Sequence, residues 1–102
     1  MRYALLAYGG EADEVPPFDV ELEAELAAAG ALVSSEALAS ADVASTVRVR
    51  ETVTVGDGPC ADAAEVLVGF LVVDVDDLDA ALAVARRCPT ARTGCIEVRP
   101  IS

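Results

Sequence analysis

The chain contains no histidine, no lysine and no tryptophan. Without histidine it lacks both the commonest zinc ligand and the commonest general base at neutral pH. All seven cations are therefore arginines: Arg2, Arg48, Arg50, Arg86, Arg87, Arg92 and Arg99. They face eighteen carboxylates, and the net charge is −11. A surface of that sign repels a phosphate backbone, so the chain is not expected to bind nucleic acid. Aromatic residues are limited to two tyrosines and two phenylalanines. The core must be built from Ala, Val and Leu, which bury less area per side chain, and a partner surface would help it. No apolar run approaches the ~20 residues of a membrane span. The opening "MRYALLAYGG" reads as a first strand rather than a signal peptide. Three cysteines, Cys60, Cys88 and Cys95, form neither an even set nor a metal-ligand spacing. They read as free thiols in a reducing cytoplasm. Gly9-Gly10 is a turn, not a phosphate loop, because no GxGxxG or GxxxxGK[ST] pattern follows it. Neither a metal nor a cofactor is expected, and no membrane association.

What is present is a set of short periodic segments within one domain over residues 1–102. Residues 2–8 form an apolar strand. A polar loop over 9–17 leads to a helix over 18–29, with Asp19 as N-cap, Leu22 and Leu26 on one face, and Gly30 where a left-handed cap belongs. Residues 31–44 are ambiguous and fit a short extended piece at 31–34 with a loop after it. Residues 46–50 alternate, Val47 and Val49 against Arg48 and Arg50, and predict a strand that 52–55 continues past an irregularity near Glu51. The turn Gly56-Asp57-Gly58-Pro59 ends it. The next strand runs from Glu65 or Val66 to Val73, with Gly69 inside. Asp76 or Asp77 caps a helix to Arg87, with Leu78, Leu82 and Ala85 as its buried stripe and Arg86-Arg87 at its C-terminal, negative end. Residues 95–99 form the last strand. The order is α+β, a ferredoxin-like βαββαβ plan with two helices on one face of an antiparallel sheet.

Two helices cover one face of such a sheet, and a wet second face would alternate polar with apolar residues. "VLVGFLVV" does not alternate, nor does the first strand. The second face is therefore expected to be dry. Two covers compete: the same face of another copy across a two-fold axis, which makes a dimeric α/β barrel, or the loop over 31–44.

Several motifs occur in a familiar order: Asp57-Gly58-Pro59-Cys60, then Ala61-Asp62-Ala63-Ala64-Glu65, Gly69-Phe70 and Glu97-Val98-Arg99-Pro100. Together with "RYALLAYG", "AAAGALVSSEAL", "STVRVR" and "ALAVARRCP", they span nearly the whole chain. The chain resembles the YCII-related family, in the branch marked by an Asp-Gly-Pro-Phe signature. The resemblance implies a homodimeric α/β barrel, enzyme-like relatives that act on small aromatic or lactone compounds, and a link to extracytoplasmic-function sigma factors. Three positions depart from the pattern: Cys60 replaces the signature Phe, Ala64 the usual Lys, and the first-helix His is absent. The His–Asp acid–base pair associated with the wider family has no counterpart here.

Five residues are candidates for a site. Asp57 serves either as a cleft carboxylate acting as base, or as a turn residue bonded to its own backbone. Arg48 and Arg50 either clamp an anion or pair with acids such as Glu65 and Glu97. Glu65 opens the long strand and can neutralise a cleft arginine, and Tyr8 offers a hydroxyl. Cys60 is expected to fill space as a small apolar residue, and Cys88 and Cys95 to be buried. The leading expectation is a homodimer that binds a small organic molecule near the Asp-Gly-Pro turn. Any chemistry would be proton transfer, isomerisation or elimination through Asp57. The alternative is an accessory protein that binds a partner through acids such as Glu21, Glu23 and Glu25.

Overall fold

Alternation in the first strand puts Tyr3, Leu5, Ala7 and Gly9 on one side of the chain, and all four are buried. A computed structural model describes residues 1–10, 16–60 and 64–102. Strand β1 (Arg2–Gly9) lies antiparallel to β5 (Val66–Asp74), with Leu5 opposite Leu71 and Tyr3 opposite Val73. On its other edge β1 pairs with β6 (Cys95–Pro100), and β5 pairs with β2 (Leu32–Ala37). The sheet order is β2-β5-β1-β6, which is the ferredoxin-like arrangement. Parts of the expected loops, residues 11–15 and 61–63, lie outside the described residues.

Helix α1 (Val20–Ala28) buries Leu22 and Leu26, and α2 (Leu78–Arg87) buries Ala81 and Ala85. With Phe18, Cys88, Tyr3, Leu5, Leu71 and Val73 they form one core on one face of the sheet. Asp19 caps α1, accepting a bond from the Glu21 amide at 2.9 Å, and Asp77 caps α2 through the Ala80 amide at 2.9 Å. Each supplies a partner to an amide that has none within its helix. Gly30 takes the left-handed conformation beyond α1, at φ 72°. A short turn of helix, α3 (Thr90–Thr93), follows α2, and the Thr90 hydroxyl donates to the Pro17 carbonyl at 3.2 Å. Arg87 joins α2 to Glu25 of α1 at 2.6 Å, and its hydrogen bond holds the Glu25 carboxyl below its usual range. Both partners are exposed, so the pair adds little to stability.

Two expectations need correction. The second strand of the sheet is not residues 46–50. It is β2, within the segment whose sequence left extended and loop readings open. As an edge strand reading "LVSSEA", interrupted by an irregularity between Leu32 and Ser34, β2 carries no regular alternation. The regular alternation belongs instead to a separate ribbon. There β3 (Ser45–Val49) folds back on β4 (Val53–Asp57), reversing through a bond from the Arg50 amide to the Thr52 carbonyl at 3.0 Å. Residues 52–55 thus do not continue the preceding strand. In α2 the buried line is Ala81, Ala85 and Cys88, while Leu78 and Leu82 are exposed. Small side chains let this helix lie close against the sheet, and the larger leucines turn outward.

The sheet's other face carries Ala4, Leu6 and Tyr8 of β1, and Phe70 and Val72 of β5, all partly exposed. Cross-strand rows read Glu36–Phe70–Leu6–Glu97 and Ser34–Val72–Ala4–Arg99. The centre is apolar and both edges are polar.

Gly69 fixes the close approach of β5 to its neighbours. A Cβ there would meet the Glu36 carbonyl oxygen at 2.7 Å and Pro17 Cγ at 3.0 Å. Gly69→Ala is therefore expected to lower unfolding free energy by ~1–3 kcal/mol through overpacking. Leu71→Ala, which empties a fully buried position, should cost ~2–5 kcal/mol. Urea unfolding monitored by circular dichroism measures both. Wild-type stability in Gly69→Ala would contradict the packing described.

Candidate functional site

Pairing in the ribbon sorts its side chains. Val47 lies opposite Val55 and Val49 opposite Val53, so four valines share one side; Thr46, Arg48 and Thr54 share the other. The Asp-Gly-Pro turn folds back on that polar side. The Thr46 hydroxyl donates to the Gly58 carbonyl at 2.7 Å, and the Gly58 amide to the Ala44 carbonyl at 2.7 Å. Arg48 donates through Nη2 to the Cys60 carbonyl at 3.0 Å, and its Nη1 lies 3.7 Å from the Cys60 Sγ. Gly58 has φ 95°, where a Cβ is strained, which explains a glycine between Asp57 and Pro59.

Asp57 ends β4 opposite Ser45 and is exposed. Among the described residues its carboxylate accepts no hydrogen bond, so the backbone-bonded turn role is not made there. Arg48 and Asp57 border one open groove of about 250 Å³, floored by Thr46, Thr54 and Pro59. Across Pro59 lies a second, more apolar groove of about 340 Å³, lined by Leu38, Val43, Ala44, Val66 and Leu67. One groove offers a guanidinium and a carboxylate, the other an apolar surface, and Pro59 is common to both.

The structure thus brings Arg48 and Asp57 together. Tyr8 and Glu65 lie elsewhere, each beside Cys95 at one end of the sheet. Tyr8 is paired with Cys95 across β1 and β6, and the Cys95 thiol donates to Glu65 Oε2 at 3.6 Å. Arg50 joins neither group: it sits past the end of β3 and donates to the Val49 carbonyl at 3.1 Å. Among the described residues neither Arg48 nor Arg50 pairs with a carboxylate, and Glu97 pairs with Arg99 at 3.4 Å. The apolar groove was not legible in the sequence, because "LASADVA" over residues 38–44 has neither strand nor helix period. Its one local signal was Ser40, whose hydroxyl caps a turn of 3-10 helix at Ala41–Val43 by accepting from the Asp42 amide at 3.2 Å.

Two cysteine expectations also change. Cys60 is exposed beside Arg48 rather than filling space, and Cys95 is exposed because it begins an edge strand. Cys88 is buried as expected, and burial pushes its thiol up to about 11. Desolvation, and then the nearby Glu65 carboxylate, raises the Cys95 thiol as well. Among the described residues no three His, Cys, Asp or Glu side chains gather into a metal site, and no helix is long and apolar enough to cross a membrane. Iodoacetamide at pH 8 should modify exposed Cys60 first, then Cys95, whose thiol is raised, and buried Cys88 only on unfolding. Peptide mass spectrometry over time reads the order. Native-state labelling of Cys88 at the Cys60 rate would contradict it.

Comparison with known proteins supplies a family. The YCII-related domain matches residues 1–102. An uncharacterized protein, R00369, of Rhizobium meliloti (strain 1021) is 34% identical over 116 aligned positions, covering 100% of this chain and 93% of that protein. Neither comparison names a ligand or a reaction. With the β2-β5-β1-β6 sheet and the Asp-Gly-Pro turn in place, the match across its whole length makes this chain a member of the YCII-related family.

Proposed function

We propose that the protein is a homodimeric, Asp-Gly-Pro-Phe-type member of its family that binds a small organic anion in the groove between Arg48 and Asp57. The observation that carries the dimer is the sheet's second face: Leu6, Phe70, Ala4 and Val72 at its centre, with Glu36, Ser34, Glu97 and Arg99 at its edges. A desolvated apolar centre inside a polar rim is the anatomy of a protein interface. Burying apolar area contributes ~25 cal/mol per Å² before the costs of association. The same face of a second copy matches it by symmetry.

The groove favours an anion because Arg48 is held by the Cys60 carbonyl and has no carboxylate partner among the described residues. A planar guanidinium fixed in this way receives a carboxylate in a defined orientation. The neighbouring apolar groove across Pro59 suits the body of an organic acid. Asp57 can accept a hydrogen bond from a ligand hydroxyl. Binding rather than turnover is the reading, since the chain has no histidine to share a proton with Asp57. If a reaction occurs, its proton transfer falls to Asp57. The accessory-protein alternative, tied by resemblance to extracytoplasmic-function sigma factors, would use acids of α1, but Glu25 there is already engaged by Arg87.

Benzoate is a suitable probe, since it joins a carboxylate to an apolar ring. In a nitrogen–proton correlation spectrum its titration should shift the amides of Thr46, Arg48, Asp57 and Gly58. Arg48→Ala should weaken binding by about tenfold, the worth of one charged hydrogen bond. Titration to tens of millimolar with no shift at these amides would overturn the anion reading.

A further inference from the structure

The ribbon of β3 and β4 is a surface of its own. Val47, Val49, Val53 and Val55 are 60%, 64%, 65% and 69% exposed and lie on one side of it. Alternation on a two-stranded ribbon buries one side when something covers it. Here the polar side is occupied by the Asp-Gly-Pro turn, and the valine side touches no other element substantially among the described residues. The ribbon also extends the protomer. Its radius of gyration is 15.1 Å, where a compact chain of this length has about 13 Å.

We propose that the valine side of this ribbon packs on a second copy of the chain, so that each protomer reaches across the dimer axis with an arm. This rests on the homodimer proposed above and extends it. Area is the first argument. Four strands at ~5 Å spacing and ~20 Å length give the open sheet face a footprint of roughly 400 Å². That is a flat projection of a small patch, set against the ~800 Å² of accessible surface per partner in a standard stable interface. The valine side adds roughly 160 Å² by the same reckoning, and it is apolar throughout. Charge is the second argument. Arg50, past the end of β3, bonds only the neighbouring Val49 carbonyl and has no carboxylate partner among the described residues. Over residues 45–57 the ribbon sets Arg48 and Arg50 against Glu51 and Asp57, so an arm laid across the dimer is a neutral segment on a body of net charge −11 and adds no repulsion between two acidic copies. A second copy is thus the occupant: it is acidic overall and itself exposes apolar side chains such as Val33, Leu38 and Val43.

The test compares three proteins by sedimentation equilibrium over a wide concentration range. The first is the wild type. The second is the arm variant Val47→Thr/Val49→Thr/Val53→Thr/Val55→Thr, which keeps strand propensity at positions already exposed in the protomer. The third is Leu6→Lys on the open sheet face. The wild type should be a dimer, and the arm variant should raise the dimer dissociation constant by at least about thirtyfold while its far-ultraviolet spectrum is unchanged. The single variant Val47→Lys gives a second reading of the same surface should the fourfold variant fold poorly. An arm variant that dimerises like the wild type overturns the arm and leaves the sheet-face dimer standing. Loss of dimer in the arm variant but not in Leu6→Lys supports the arm and overturns the sheet face as the principal contact. A wild type that stays monomeric overturns both, and leaves the valines to a partner of another kind.

Discussion

Strands β1 and β5 are apolar on both sides, and the helices cover only one. The layering of the four-stranded sheet follows from that constraint. On the covered face Leu5, Leu71 and Val73 are fully buried beneath α1 and α2. On the other face Leu6, Phe70 and Val72 remain partly open at the middle of the sheet. The edge strands resolve into polar residues there, with Ser34 and Glu36 on β2 and Glu97 and Arg99 on β6. A protomer with so few aromatics draws limited stability from its one-sided core, so the uncovered half of the central strands is where further burial has the largest effect.

The candidate site stands apart from this layering, on the insertion between β2 and β5. The ribbon presents Arg48 over the turn, and Gly58 lets the chain reverse there at a backbone conformation closed to other residues. Pro59 then separates the polar groove from the apolar one. Function and assembly share this insertion. Its polar side faces the turn and borders the groove of Arg48 and Asp57, and its apolar side faces outward. Among the described residues the Arg48 guanidinium is held by a carbonyl rather than by an acid.

Much of this was legible from residue order. The short apolar run of residues 2–8, the cap at Asp19, a cap at Asp76 or Asp77, and the unbroken apolar run of β5 each place an element where the structure has it. The run also announced a sheet whose centre is apolar on both faces. The second sheet strand was not legible, because β2 is a polar edge whose alternation is broken near Val33. The ribbon supplied a cleaner period-2 signal than the sheet did, and strand periodicity does not say which partner a strand takes. Pairing of Arg48 with Asp57 at one groove was readable as nearness in sequence. Separation of Tyr8 and Glu65 from them was not, since it depends on how the ribbon stands relative to the four-stranded sheet. The α2 leucines mislead for a related reason: helical period marks a stripe, but close packing against a sheet selects alanine for the contact.

The account turns on whether a second copy covers the open face. An isotope-filtered nuclear Overhauser experiment on a dimer mixed from labelled and unlabelled chains reads that contact directly. The account predicts intermolecular cross-peaks from the methyl groups of Leu6 and Val72 to the ring of Phe70 in the other copy. Methyl groups of this face that show contacts only within their own chain, at concentrations where the dimer is populated, would contradict it.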